Sequence, residues 1–168
     1  IIERRKREGT IIRLITKEEL ESIYIPKPEE ETLLDLLETR EILEVNVVKL
    51  VVERASKEEI NELEKILEWM KKDSEDLTKF SNTDIIFHIT LARISQNQVI
   101  ANIIHSLRKR MQNLQSRTLE TLRIFEIIDE HQKIVDAIKS RNSEEAQKFM
   151  KYHLEKVKFA LQKLKVRH

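Results

Sequence analysis

Residues 76–95 have the sequence DLTKFSNTDIIFHITLARIS, and this stretch decides the fold because its apolar positions recur at helical spacing around a polar pair. At about 100° per residue, Asp84 and His88 lie about 40° apart on one face of a helix. The apolar residues on that same face are Phe80, Phe87 and Leu91. The stretch therefore predicts a core helix that buries a carboxylate and an imidazole, which costs several kcal/mol unless each finds a partner.

Composition favours long helices joined by short connections. The 168 residues include one Gly and two Pro, and a hydrophobic fraction of 40% allows a buried core. Cys is absent, which excludes disulfides, thiolate nucleophiles and zinc sites built on Cys. The net charge of +1 does not indicate nucleic-acid binding by this chain alone. No apolar run reaches the length of a membrane span and no signal peptide is recognisable, which predicts a soluble, cytoplasmic protein.

The periodicity predicts an all-α antiparallel bundle of six or seven helices, preceded by a short β-hairpin. The hairpin is predicted over residues 1–15, where β-branched residues flank a basic turn with the only Gly. Residues 16–28 are predicted to be a linker and residues 29–168 a helical domain. Six helices are placed from about residues 29, 56, 76, 98, 122 and 142, with Ser56–Glu59 and Asn142–Glu145 as N-terminal caps.

Two later helices each place one histidine at the centre of an apolar face. Six apolar residues of the fifth helix fall within about 60° of His131, and a similar set of the sixth surrounds His153. A divalent metal ion is one partner that would satisfy Asp84, His88, His131 and His153 together. The alternative is a polar core network without a metal, in which these side chains bond to one another.

The other histidines are predicted to face solvent. His105 points away from the apolar stripe that we assign to the fourth helix, Ile103–Leu107–Leu114, and His168 is the terminal residue. Leu107 and Leu114, with the apolar remainder of the first and fourth helices, are candidates for a contact between two subunits.

Arginines supply a second set of unusual positions. Arg40 lies within the apolar stripe of the first helix, and Glu44 lies about 40° from it. A salt bridge between these two along the helix and an anion-binding role for Arg40 explain this position equally well. Arg110 and Arg117 of the fourth helix are expected to extend their long side chains to water.

Six blocks of sequence between about residues 30 and 160 carry a resemblance to a known family. They are Arg40-x-x-x-Glu44, Asp84-Ile85-Ile86-Phe87-His88, Ser95-Gln96-Asn97, Glu130-His131, Ala137-Ile138 and Ala146-x-x-x-Met150-x-x-His153-Leu154. In order and spacing they resemble the C-terminal effector-binding (FCD) domain of the FadR subfamily of GntR transcription regulators. Residues 8–12 (EGTII) resemble the end of the wing of the winged-helix DNA-binding domain that precedes it.

The resemblance implies a metal centre and an effector pocket beside it. The metal ligands that it implies are Asp84, His88, His131 and His153. Arg40 is implied to meet a carboxylate effector, and Asn97 and Glu44 are placed in the same pocket. Residues 1–15 then become the remnant of a truncated winged-helix domain, whose recognition helix this chain lacks.

The expected function is therefore that of a ligand-sensing domain in a metal-dependent bacterial transcription regulator, which is not an enzyme. Its expected cofactor is Zn, Ni, Mn or Fe, and its expected partners are a small carboxylate, operator DNA through the full-length protein, and a second subunit in a homodimer. A membrane is not expected as a partner. The alternative is a metal-dependent hydrolase on a helical bundle, for which Glu44 is the candidate general base.

Overall fold

The computed structural model describes residues 2–5, 9–12, 33–119 and 123–165. Two short strands, β1 (Ile2–Arg5) and β2 (Gly9–Ile12), pair antiparallel with Ile2 opposite Ile12. The described helices are α1 (Leu33–Arg54), α2 (Lys57–Lys72), α3 (Leu77–Ile94), α4 (Gln98–Leu119), α5 (Ile124–Lys139) and α6 (Ser143–Lys165). The strands fall in one compact unit, residues 1–32, and the helices in another, residues 33–168.

The prediction of an all-α bundle is confirmed, with six helices in the described part of the chain. The predicted start of the first helix at residue 29 and the predicted linker 16–28 lie outside the described residues. The identity of residues 1–15 as a wing stays a prediction. Of the helices that the structure describes, none is both long and apolar enough to cross a membrane.

Side-chain caps set where several helices begin. Ser56 and Glu59 form the predicted capping box of α2, each side chain bonding to the backbone of the other. Asp76 accepts hydrogen bonds from the backbone of Thr78 and Lys79 at the start of α3. Asn142 Oδ1 accepts from Glu145 N at 3.1 Å at the start of α6, as predicted.

Two arginines tie the helix ends together at one end of the bundle. Arg141, in the α5–α6 turn with a left-handed φ of 57°, donates to the carbonyls of Val52 and Ala55 at the end of α1. Arg54 of α1 donates to the carbonyl of Ser95 at the end of α3. These bonds satisfy carbonyls that a helix end leaves without a partner.

The larger part of the interior is an apolar core to which α2 contributes a single stripe. The buried residues of α2 are Ile60, Leu63, Ile66, Leu67 and Met70. They join Val47, Val48, Val51, Phe80, Ile94, Ile134, Val135, Ile138 and Met150, which are all at most 1% exposed. We call this cluster the apolar core. A smaller apolar cluster of Leu37, Met111 and Leu161 lies apart from it.

Buried polar residues lie between these two apolar clusters. On α1, Arg40 follows Leu37 of the small cluster and precedes Val47 of the apolar core; on α6, His153 lies between Met150 and Leu161. We call the buried polar set the polar layer. Its members, each at most 5% exposed, are Arg40, Glu44, Asp84, His88, Arg108, Glu130, His131 and His153.

The buried face of α4 differs from the prediction. Ile103, the first residue of the predicted stripe, is 42% exposed, whereas Ile104, Arg108 and Met111 are buried. Leu107 is half-buried, and nothing is described of the Leu114 side chain. The predicted stripe is therefore not the buried face of α4. Arg108 occupies the middle of the buried face, so the apolar pattern favoured the adjacent face, which begins at Ile103.

Candidate metal centre

Three helices bring the four predicted ligands together. Asp84 and His88 come from α3, His131 from α5 and His153 from α6, and one ligand atom from each lies within 4.8 Å of all the others. All four side chains are buried. The i, i+4 spacing puts Asp84 and His88 on one face of α3, and the packing of α3, α5 and α6 supplies the remaining convergence, which spacing alone does not determine.

Each of the three imidazoles has an oxygen acceptor at its Nδ1 atom. His131 Nδ1 lies 2.7 Å from the carbonyl oxygen of Ile127, one turn earlier on α5. His153 Nδ1 lies 2.9 Å from Glu130 Oε2. His88 Nδ1 lies 2.5 Å from Glu44 Oε2, at an angle that departs from a well-aligned hydrogen bond. Because these oxygens only accept, the contacts of His131 and His153 favour the tautomer with its hydrogen on Nδ1 and its lone pair on Nε2.

The Nε2 atoms of His88 and His131 converge with Asp84. His131 Nε2 lies 3.3 Å from His88 Nε2 and 3.3 Å from Asp84 Oδ1. His88 Nε2 lies 3.7 Å from Asp84 Oδ1. Acceptors that face one another at these distances repel unless a cation or a proton lies between them. A tetrahedral zinc ion, with zinc–nitrogen bonds of about 2.0–2.1 Å, separates its ligand atoms by about 3.3–3.4 Å, so the donor set fits such an ion.

The electrostatics of the site favour an ionised Asp84. Burial alone would raise the pKa of Asp84, but the neighbouring Arg108 guanidinium is the largest of the interactions that hold this pKa well below its usual range. Burial, together with the neighbouring His131, lowers the pKa of His153. A carboxylate that stays ionised and an imidazole that stays neutral are the forms that bind a divalent metal.

Arg40 and Glu44 form the predicted salt bridge, which lies next to the candidate metal ligands. Arg40 Nε donates to Glu44 Oε1 at 2.7 Å, and the other carboxylate oxygen of Glu44 faces His88. Both side chains are buried. Glu44 is thereby a partner of Arg40 and His88, which weakens it as the general base that the hydrolase alternative needs.

Arg108 is a site residue that sequence reasoning missed. Its Nη2 donates to Asp84 Oδ2 at 3.0 Å, and its side chain is 1% exposed. The signal in the sequence was the spacing Ile104, Arg108 and Met111, which runs along one face of a helix. Because charged residues are seldom buried without a partner, an arginine in such a stripe does not by itself predict a core position.

Glu130 is the second missed residue, although its neighbour His131 was identified. Glu130 accepts hydrogen bonds from His153 and, at 2.5 Å, from Lys156 Nζ. Burial would raise the pKa of Glu130, but these two donors lower it overall. The contact orients the His153 ring and makes its Nε2 more basic, which is the usual role of a carboxylate behind a metal-binding histidine.

The other residues that the sequence analysis singled out are not part of this cluster in the described structure. Asn97 lies beyond the end of α3, where its Oδ1 accepts from Ile100 N and caps α4. Its proposed part in effector binding stays a prediction, and capping accounts for the contacts it makes. His105 and Arg110 are exposed, as predicted. Arg117 has no described side chain, and His168 lies outside the described residues.

Comparison with known proteins gives the family. The family model of the FCD domain matches residues 35–156, which include every residue of the polar layer. The chain belongs to the FCD domain family. The resemblance to the effector domain of GntR-type regulators is thus confirmed.

Curated relatives of this FCD chain are named as regulators. It is 34% identical over 136 residues to the "Uxu operon regulator" of Haemophilus influenzae, covering 76% of this chain and 50% of that protein. It is 25% identical over 181 aligned positions to the "HTH-type transcriptional regulator LutR" of Bacillus subtilis, covering 96% of this chain and 77% of that protein. The "Gluconate operon transcriptional repressor" of Bacillus licheniformis is 32% identical over 63% of this chain and 51% of its own length. The chain thus spans about half the length of two of these three relatives.

Solved structures show the same fold. Streptococcus agalactiae GntR superposes with a TM-score of 0.69 at 23% identity, covering 94% of this chain and 74% of that one. E. coli McbR/YncC superposes with a TM-score of 0.68 at 17% identity, covering 96% of this chain and 77% of that one.

Proposed function

We propose that this FCD domain binds one divalent metal ion through Asp84, His88, His131 and His153 and senses a small carboxylate beside it. The observation that carries the proposal is the orientation of the imidazoles. Each Nδ1 atom faces an oxygen of Ile127, Glu44 or Glu130, and the Nε2 atoms of His88 and His131 face Asp84. A carboxylate and imidazole nitrogens that converge in this way form a site for a cation.

The charges around the site favour an anionic effector. Arg40, Arg108 and Lys156 carry three positive charges, and Glu44, Asp84 and Glu130 carry three negative ones, so the group is neutral when the histidines are neutral. A divalent ion brings the group to about +2 in a buried setting, where an unbalanced charge is costly. A carboxylate that joins the metal as a fifth ligand, an expansion that zinc permits, offsets part of this charge.

Arg40 is the residue that we propose for direct contact with the effector. Its Nε and Nη2 face Glu44, which fixes the guanidinium plane and leaves Nη1 for another acceptor. A guanidinium held flat in this way binds a carboxylate with defined geometry. The metal, when bound, supplies a positive centre for the same carboxylate, and Zn, Ni, Mn and Fe all accept this ligand set.

The proposed consequence is a change in how the bundle positions the rest of a longer regulator. The metal ties α3, α5 and α6 together, and the effector adds α1 through Arg40. A ligand shifts a conformational equilibrium only by its differential contacts in two states, and contacts that span four helices provide such a difference. Operator DNA and a second subunit are proposed as partners of the full-length protein, in line with the names of the relatives.

The experiment is a titration of gluconate into the chain, followed by calorimetry in the chelator-stripped and the zinc-loaded states. We expect saturable binding of gluconate to the zinc-loaded protein. Removal of the zinc with chelator should lower this affinity at least about tenfold. Arg40→Lys, which keeps the charge but lacks the paired N–H donors of the guanidinium, should do the same. Arg110→Lys, at an exposed position of α4, is the matched control. Zinc binding without any carboxylate binding, for gluconate, citrate and lactate alike, would limit the function to metal binding.

A further inference from the structure

The outer surface between α3 and α4 contains a groove of about 500 Å³ that ends on Arg108. Ile85, Ile86 and Ile89 of α3 line one side, and His105 and Lys109 of α4 line the other. The volume falls in the range of small-molecule pockets, about 300–1,000 Å³. The groove lies behind Asp84, since Arg108 connects the two.

Arg108 has an unused donor. Its Nη2 is occupied by Asp84, but its buried Nε–H has no acceptor among the residues that the structure describes. Buried donors without acceptors are rare in folded proteins, and each calls for an explanation. In addition, Lys109 has no ion-pair partner in the described part of the chain, and the residues that line the groove include no carboxylate.

The apolar side of the groove indicates the chemistry of the uncharged part of the ligand. Ile86 is 44% exposed, and Ile85 and Ile89 are half-buried on the same face of α3. Three branched side chains next to two cationic ones complement a molecule with a short branched tail and a single acidic end.

From these observations we propose a second binding site, distinct from the metal centre, that takes a small branched aliphatic monocarboxylate between α3 and α4. The carboxylate accepts from Lys109 Nζ and, once the side chains that cover Arg108 Nε move apart, from that buried atom as well. The tail packs on the three isoleucines. Because Arg108 also holds Asp84, occupancy of this site alters the partner of a candidate metal ligand. The proposal needs no metal, so it stands or falls separately from the proposed function.

The test uses 4-methylpentanoate as the probe, with binding followed by ligand-observed NMR and calorimetry on the stripped and zinc-loaded chain. Saturable binding is expected in both states and in His131→Ala. A loss of at least tenfold in affinity is expected in Ile86→Glu and in Lys109→Glu, both of which change exposed side chains. Val99→Glu, 70% exposed on α4 and outside the groove lining, is the charge-matched control.

Two further outcomes separate this proposal from its competitors. 4-Methylpentan-1-amine, which has the same tail but a positive end, is expected not to bind. Equal binding of the amine, or 4-methylpentanoate binding that Ile86→Glu and Lys109→Glu leave unchanged, would overturn the proposal. It would also be overturned if the probe failed to bind and Ile86→Glu instead dissociated a dimer, because the groove would then be a subunit contact.

Discussion

The apolar core and the polar layer are neighbouring parts of one interior that are held together by different physics. In the apolar core, Leu63, Met70 and Phe80 are fully buried among other apolar side chains, and the stabilisation follows the area removed from water. In the polar layer every side chain depends on a particular partner at a particular angle, as His153 does on Glu130. The first region therefore specifies that the chain folds, and we propose that the second specifies what it binds.

The difference also explains why the polar layer is placed where it is. Apolar clusters on both sides exclude water from it, which strengthens each ion pair and each candidate metal bond. The same exclusion makes an unpaired member costly. We therefore expect substitutions in the apolar core to lower stability equally with and without a bound metal. Substitutions in the polar layer should instead change the stabilisation that metal binding provides.

The largest effect on stability is expected in the apolar core. Phe80→Ala removes a fully buried aromatic side chain, which costs about 3–5 kcal/mol of unfolding free energy. Chemical denaturation in the presence of zinc and in the presence of chelator measures the loss. The two values are expected to agree within error, and a loss that occurs only with zinc would contradict the separation of the two regions.

A smaller effect that depends on metal is expected in the polar layer. Zinc at 100 times its dissociation constant stabilises a folded protein by about 2.7 kcal/mol. His153→Ala removes one of four candidate ligands, so this zinc-dependent increment should disappear. Thermal unfolding with and without zinc gives the increment directly. His105→Ala, which truncates an exposed histidine, is the control and should keep all of it.

The carboxylate behind His153 should have a smaller effect again. Glu130→Gln keeps the size of the side chain but removes the charge that orients the ring, and a loss of about 10–100-fold in zinc affinity is expected. Competition with a chelating indicator measures this affinity. Glu126→Gln is the matched control, since Glu126 bonds to the same Lys156 but is half-exposed and does not contact His153 in the described contacts. Equal losses in the two variants would show that zinc affinity depends on the contact with Lys156 and not on the orientation of the His153 ring.

The sequence predicted the helices and the candidate ligands because both depend on local spacing. Asp84 and His88 share a face of α3 by their i, i+4 separation, and His131 and His153 each occupy the centre of an apolar stripe. Caps such as Ser56–Glu59 are local in the same sense and were also predicted.

The features that could not be predicted from the sequence depend on contacts between helices. Arg108 reaches Asp84 across 24 positions and Glu130 reaches His153 across 23, so neither pairing has a periodic signal. The phase of α4 was misjudged for the same reason, since a buried arginine is stable only because Asp84 lies opposite. Asn97 caps α4, and its place in an effector pocket, which the resemblance implies, stays a prediction.

A calorimetric zinc titration of the chelator-stripped chain beside its His131→Ala variant tests whether the polar layer binds a metal ion. His131 contacts both Asp84 and His88 in the polar layer. We expect one equivalent of zinc to bind per chain in the unmodified protein. In the variant we expect an affinity reduced by more than about 100-fold, beyond the loss typical of a residue that only contacts a metal ligand. Absence of stoichiometric binding to the unmodified chain, or equal binding by the variant, would contradict this expectation and identify the polar layer as a metal-free network.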